Sequence, residues 1–350
     1  MNQPKIIGEV DTLYTSIAEL ISQAKTKVAI TANAELALLN WKVGLYVNEF
    51  VLQGDRAKYG KQIVSNLSKM LTANFGGGWG EKHIRHCLRI AETIDEEQIV
   101  YAVRRQLSWT HLKTIAYEEN PIKRLFYIEM AINQRWNTRK LADEIDNMLY
   151  ERTAIAKHPE QQIKLALQEL QTKDVINPDL FFKSTYVLDF LGLKNTYSEK
   201  DLESALVSNL EQFIMELGNG FAFMERQKRI SIDATDYHLD LLFYHRKLKR
   251  LIAIDLKLGK FKPGYKAQME LYLRWLQKNE MQTGEETPIG LLLCSEGNTE
   301  HIELLMLDET EIKVAQYLTE LPSKDWFADK LHKSMEIAKM NELNKYQREG

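Results

Sequence analysis

The chain has 350 residues, 44% hydrophobic and 27% charged, with a formal net charge of -3. That is the composition of a soluble globular protein of about two domains, and the average charge does not by itself announce a nucleic-acid binder. Cys87 and Cys294 make no disulfide framework, no apolar run approaches the roughly 20 residues that span a bilayer, and the first residues lack the basic and apolar regions of a signal peptide, so a reducing cytoplasm is the expected location.

Residues 11–150 carry apolar residues at every third or fourth position, which predicts helices. Breaks are expected near Gly54 to Gly60, at Asn74 to Gly80 and near Asn120-Pro121. Asn137 or Thr138 is suited to cap the next helix. The stretch 153–177 is polar and reads as a linker containing a helix. Ser198 and Asp201 form a capping-box-like start, and the helix that follows should run to Gly218. Three β-like runs come next (221–232, 237–245 and 250–259), then a helix after Gly264 and a buried strand at 289–296. The order of helix, three strands, helix and strand predicts an α/β unit with a mixed central sheet. Residues 336–350 read as a polar helix or a frayed tail.

Within 237–276, charges stand inside apolar strands, where they are costly. Asp255 and Lys257 are two apart, so their side chains share one face, and Leu256 between them faces apolar packing. Asp240 lies in the preceding strand, across the turn at 246–249; if the two strands pair as a hairpin, it converges with Asp255. Two carboxylates suit a hard cation such as Mg²⁺, with Mn²⁺ able to substitute, and Lys257 beside it would orient water or stabilise developing charge. The alternative is a surface hairpin with charges on its solvent face. At 100° per residue Glu203 falls near the apolar face formed by Leu206, Leu210, Phe213, Ile214 and Leu217, whereas Glu211 and Glu216 project away from it. Glu203 is thus either an inward-pointing ligand or a first-turn glutamate favoured by the helix dipole. Gln268 and Tyr272 are four apart on one helix face, placed either to hold a nucleotide or the lysine strand, or as parts of an ordinary amphipathic helix.

These residues resemble the PD-(D/E)XK nucleases, and the Gln268/Tyr272 spacing is similar to the RecB-like branch. Ordered blocks at 59–71, 106–115, 126–152, 186–193, 216–227 and 240–273 resemble, over almost the whole chain, the YhcG family. The resemblance implies an all-α DUF1016-type N-terminal domain (1–152), a linker with a helix (153–177), a restriction-endonuclease-like α/β domain (178–335) and a tail (336–350). It also implies a nuclease signature of Asp240, Asp255 and Lys257, with Glu203 the helix acid; the backbone carbonyl of Leu256 joins the expected metal ligands. Asp255 stands where many members have Glu, which the superfamily pattern allows. The glycine-rich 75–80 segment departs from the family's usual stretch.

Residues 56–90 hold Arg56, Lys58, Lys61, Lys69, Lys82, Arg85 and Arg89 against Glu81 alone. Lys82, Arg85 and Arg89 share about one helix face, and Arg139 and Lys140 lie in a second basic stretch. With Lys260 and Lys262 they are candidates to contact phosphates without reading sequence; the alternative is a solvated face. His83, His86 and Cys87 lack a fourth ligand at zinc spacing. The expected activity is divalent-metal-dependent endonucleolytic cleavage of DNA, in defence against foreign DNA or in DNA processing. The alternatives are an RNA nuclease and a non-catalytic binding subunit that keeps the fold. A homodimer and protein partners from a defence system are further expectations.

Overall fold

The computed structural model describes residues 3–52, 60–173, 175–193, 197–297, 311–333 and 336. The chain divides into two units, one ending at Ile145 and one beginning at Asp146.

The first unit is helical: α1 (Gln3–Leu52), α2 (Gly60–Phe75), α3 (Glu81–Thr93), α4 (Glu96–Arg104), α5 (Trp109–Ile115), α6 (Pro121–Asn133) and α7 (Thr138–Asp146). Short polar side chains start several of them. Asp95 accepts from the Gln98 amide at 2.8 Å, Asn120 from the Ile122 amide at 2.8 Å, and Asn137 from the Lys140 amide at 2.8 Å. Ala37, Trp41 and Val47 are buried on α1, as are Ile84, Cys87 and Ile90 on α3. The two helices meet at Gly44, where a Cβ would lie 2.1 Å from the Cys87 carbonyl oxygen. The Trp41 indole then donates to the Ile94 carbonyl at 2.8 Å, which satisfies an otherwise orphaned helix-end acceptor. His111 hydrogen-bonds the Trp136 carbonyl at 3.0 Å, so this pair serves packing.

In the second unit, α8 (Leu149–Arg152) and α9 (Glu160–Lys173) precede β1 (Thr185–Val187), α10 (Glu199–Ser208), α11 (Leu210–Leu217), β2 (Phe221–Ile232), β3 (Thr235–His245) and β4 (Arg250–Lys257). Then come α12 (Pro263–Asn279), β5 (Ile289–Cys294) and β6 (Ile312–Leu318). The described strands form one sheet in the order β1-β6-β5-β4-β3-β2. Its β2-β3-β4 part is antiparallel, and β4, β5, β6 and β1 run parallel, giving the expected mixed sheet. Leu251 and Ala253 on β4 join Met269, Tyr272 and Leu276 on α12 in one apolar cluster.

Three features differ from the sequence expectation. The segment after Thr153 packs into the second unit: the Ala154 amide donates to the Phe182 carbonyl at 2.8 Å, and α9 buries Ile163, Ala166, Leu167 and Leu170. The single helix expected from Ser198 to Gly218 is broken at Asn209 into α10 and α11. That break shifts the helical phase, so Glu216 turns inward and pairs with Arg152 and, at 3.1 Å, with Lys183. The tail at 336–350 lies outside the described residues except for residue 336, as do Arg56 and Lys58. No helix among the described residues is long and apolar enough to cross a membrane.

Candidate active site

The β3–β4 hairpin sets the site. Leu241 pairs with Ile254 and Leu242 with Ala253, so one step further Asp240 stands opposite Asp255. Directly opposed residues point to the same face, and Lys257 shares that face. Asp255 is 3% exposed, and its Oδ2 lies 2.7 Å from the Lys257 ammonium. Asp240 Oδ2 accepts the Leu256 amide at 2.8 Å. A strand residue directs its N–H and C=O to the same edge, so the Leu256 carbonyl faces that side too.

The electrostatics follow from burial and crowding. Burial, and then the charge of Asp255, push Asp240 up to about 7, against the pull of the Leu256 amide and of Lys257. Burial by itself would lower Lys257; the carboxylates of Asp255, Asp240 and Glu199 outweigh it, so its pKa is raised and the ammonium stays charged. The Lys257 ammonium also lies 5.2 Å from the centre of the Tyr265 ring.

The site extends onto α10. Glu203 is buried, 6% exposed, and is linked to Asp240 through Gln227. Its Oε1 accepts from Arg226 Nε at 2.5 Å and its Oε2 from Gln227 Nε2 at 2.8 Å; Gln227 Nε2 also reaches Asp240 Oδ1 at 3.2 Å. A cleft of about 410 Å³ opens here, lined by Glu199, Lys200, Glu203, Arg226, Gln227 and Asp240. Glu199 accepts the Leu258 amide at 3.0 Å, which ties the start of α10 to the end of β4.

Gln268 donates to the Tyr272 hydroxyl at 2.5 Å, and Tyr272 in turn donates to the His238 carbonyl at 3.4 Å. Tyr272 is 1% exposed, so the pair braces α12 against β3, two residues from Asp240, rather than offering a ring to a nucleotide. Sequence reasoning missed Glu199, Arg226, Gln227 and Tyr265. Arg226 and Gln227 carried a faint signal as polar residues inside a β-like run; Glu199 was hidden in a first turn that reads as capping.

The basic residues vary in freedom. Lys82, Arg139, Lys260 and Lys262 are exposed. Arg85 is exposed but pairs with Glu81 at 3.3 Å, Lys140 pairs with Glu144, and Arg89 donates to the Ala116 carbonyl at 2.9 Å. His83 bonds Asn40 at 3.0 Å and His86 bonds Tyr117 at 2.7 Å, while burial raises the Cys87 thiol to about 12; these three do not converge on a metal.

Whether a cation suits the aspartate pair can be judged from its donors. Two facing carboxylates with their mutual repulsion incompletely relieved, and a carbonyl on the same edge, are hard oxygen ligands. Among the described residues no group of three or more His, Cys, Asp or Glu side chains gathers around one point. Mg²⁺ needs no such cage; it binds through one or two carboxylates and keeps several waters. The pair fits a divalent cation of that kind, with Glu203 outside its immediate shell.

Residues 179–334 match the family described as "YhcG PDDEXK nuclease domain", and residues 16–152 match the "DUF1016 N-terminal domain". A protein of Escherichia coli (strain K12) named "Putative nuclease YhcG" is 29% identical over 357 residues, which cover 93% of this chain and 94% of that protein. A solved structure of a repair endonuclease from Pyrococcus abyssi is similar with a TM-score of 0.27 and 19% identity, over 37% of this chain and 50% of that chain.

Proposed function

The chain belongs to the YhcG family, a DUF1016 N-terminal domain joined to a PDDEXK nuclease domain, and from that premise we propose that it is a divalent-metal-dependent endonuclease acting on DNA. The observation that carries the reading is the opposition of Asp240 and Asp255 across β3 and β4, with Lys257 2.7 Å from Asp255. Asp240, Asp255 and the Leu256 carbonyl would hold Mg²⁺ or Mn²⁺. When bound, the cation neutralises phosphate charge and lowers the pKa of a coordinated water. Lys257, kept charged by its carboxylate neighbours, stabilises negative charge as it develops on the scissile phosphate. Tyr272 and Gln268 keep the hairpin in register beneath the reacting groups. Glu199 and Glu203 shape the cleft beside Asp240.

The exposed cations Lys82, Arg85, Arg139, Lys260 and Lys262 are the groups that would grip the phosphate backbone, with Arg89 and Lys140 restrained by their own partners. Binding should then weaken steeply with salt. A cytoplasmic role in defence against foreign DNA or in DNA processing, with a second copy to cut the opposite strand, fits this chemistry.

The test is cleavage of supercoiled, linear, branched and single-stranded DNA, and of RNA, with Mg²⁺ or Mn²⁺. Wild type should cut DNA. Asp255→Asn and Lys257→Ala should each lose at least about 100-fold, the usual scale for removing one preorganised charge. Cutting by both variants at the wild-type rate would sink the site assignment. Cleavage of RNA alone would replace the substrate, and salt-sensitive binding without turnover would leave a binding subunit.

A further inference from the structure

The nuclease signature does not include Gln227, yet Gln227 is the side chain that joins α10 to the aspartate pair. Its neighbours Arg226 and Lys228 pair with Leu241 and Leu239, so Gln227 lies on β2 opposite Asp240. Gln227, Asp240 and Asp255 therefore form one row across three adjacent strands. The Gln227 amide nitrogen carries two hydrogens, and two carboxylates receive them: Glu203 Oε2 at 2.8 Å and Asp240 Oδ1 at 3.2 Å.

The backbone adapts to allow this. Successive strand residues point to opposite faces, so Arg226 and Gln227 should not both reach one carboxylate. They do, at 2.5 and 2.8 Å. Gln227 has φ +51°, a left-handed conformation that a non-glycine residue adopts at a cost. The reversed φ coincides with this interruption of the alternation, and Arg226 reaches the same carboxylate as Gln227. Asp240 is then held at both oxygens, Oδ2 by the Leu256 amide at 2.8 Å and Oδ1 by Gln227, and its carboxylate plane is set before any cation arrives.

We infer that Gln227 is a positioning residue for the metal site: it orients Asp240 and couples Glu203 to the aspartate pair. The inference rests on the nuclease reading of that pair. Groups that orient a ligand from behind typically change metal affinity 10- to 100-fold when lost.

The experiment is a calorimetric titration of the full chain with Mn²⁺ in the absence of nucleic acid, alongside thermal unfolding. Gln227→Leu should weaken Mn²⁺ binding by roughly 10- to 100-fold. Gln227→Gly should weaken it as much with a smaller fall in unfolding temperature than Gln227→Leu, because glycine accepts the left-handed backbone freely. A residue that only fills space would show the opposite: lower unfolding temperature with affinity intact. If Asp255→Asn loses Mn²⁺ while both Gln227 variants bind like wild type, the positioning role is overturned and the nuclease reading stands. If wild type does not bind Mn²⁺, or Asp255→Asn binds it equally well, both fall together.

Discussion

Buried carboxylates in this chain fall into two kinds, and their neighbours tell them apart. Glu129 is fully buried in α6; Tyr101 donates to one of its oxygens at 3.0 Å, and the other has no hydrogen-bond partner among the described residues. Burial pushes its pKa up to about 7, against Tyr101 and Arg105. Asp240 is raised to about 7 too, but beside a second carboxylate and a lysine, on a cleft. The first arrangement is structural and the second can hold a cation. For Glu129 the sign follows directly: the folded pKa lies above the unfolded value of 4.5, so its contribution is full below about 4.5 and is lost as pH rises through about 7. Glu129→Gln should therefore lose less stability than wild type between pH 5 and pH 8, by about 2–3 kcal/mol, in denaturant unfolding at the two pH values. Equal pH slopes would contradict a neutral, buried Glu129. That Asp255 and Lys257 share one face was legible from their spacing of two in a strand, although D-x-K by itself is a common pattern. Gln227 was not, because its role depends on a reversed φ that no local pattern announces.

At the scale of elements, close approach decides more than propensity. Alanine is the best helix former, and Gly44 is inside α1, so Gly44→Ala should stabilise an isolated helix by up to about 1 kcal/mol. In the folded unit the new methyl would sit 2.1 Å from the Cys87 carbonyl oxygen and 2.9 Å from the Ala91 methyl carbon. Backbone cannot swing aside as a side chain can, so α1 and α3 must separate. We expect a net loss of about 1–3 kcal/mol, read as a lower midpoint in denaturant; a gain would mean the helices are not held at this contact. Helix phase shows the same limit of local reading. The break at Asn209 turned Glu216 from an expected outward position to one that pairs with Arg152 and Lys183. Hairpin register, in contrast, was readable: a four-residue turn at 246–249 places Asp240 against Asp255 whenever the two strands pair.

For the whole molecule, the division at Ile145 and Asp146 predicts where the chain can be cut. Arg152 lies in the second unit. Its carbonyl accepts the Ser184 amide at 2.6 Å, and its guanidinium pairs with Glu216, a largely buried side chain. A fragment of 146–350 should fold, unfold cooperatively and keep Asp255-dependent Mn²⁺ binding. A fragment of 178–350 lacks Arg152 and the buried face of α9. Losing Arg152 removes one of the two cations on Glu216, and the apolar face of α9 goes with it, so this shorter piece should show no cooperative thermal transition by circular dichroism. A stable 178–350 would show that 153–177 is dispensable to the nuclease domain.

The order of elements, the helical and α/β halves, the strands of the hairpin and the D…D-x-K set were determined by the sequence alone, because hydrophobic period, turn length and the cost of a charge in a strand are local properties. Tertiary structure decided the partners. Glu203 faces Arg226 and Gln227 instead of completing a three-carboxylate cage, Tyr272 braces β3 instead of meeting a nucleotide, and the polar stretch after Thr153 becomes part of the second unit. Each of these rests on contacts between residues far apart in the chain, where a single reversed φ or a break in helix phase redirects a side chain without leaving a trace in local spacing.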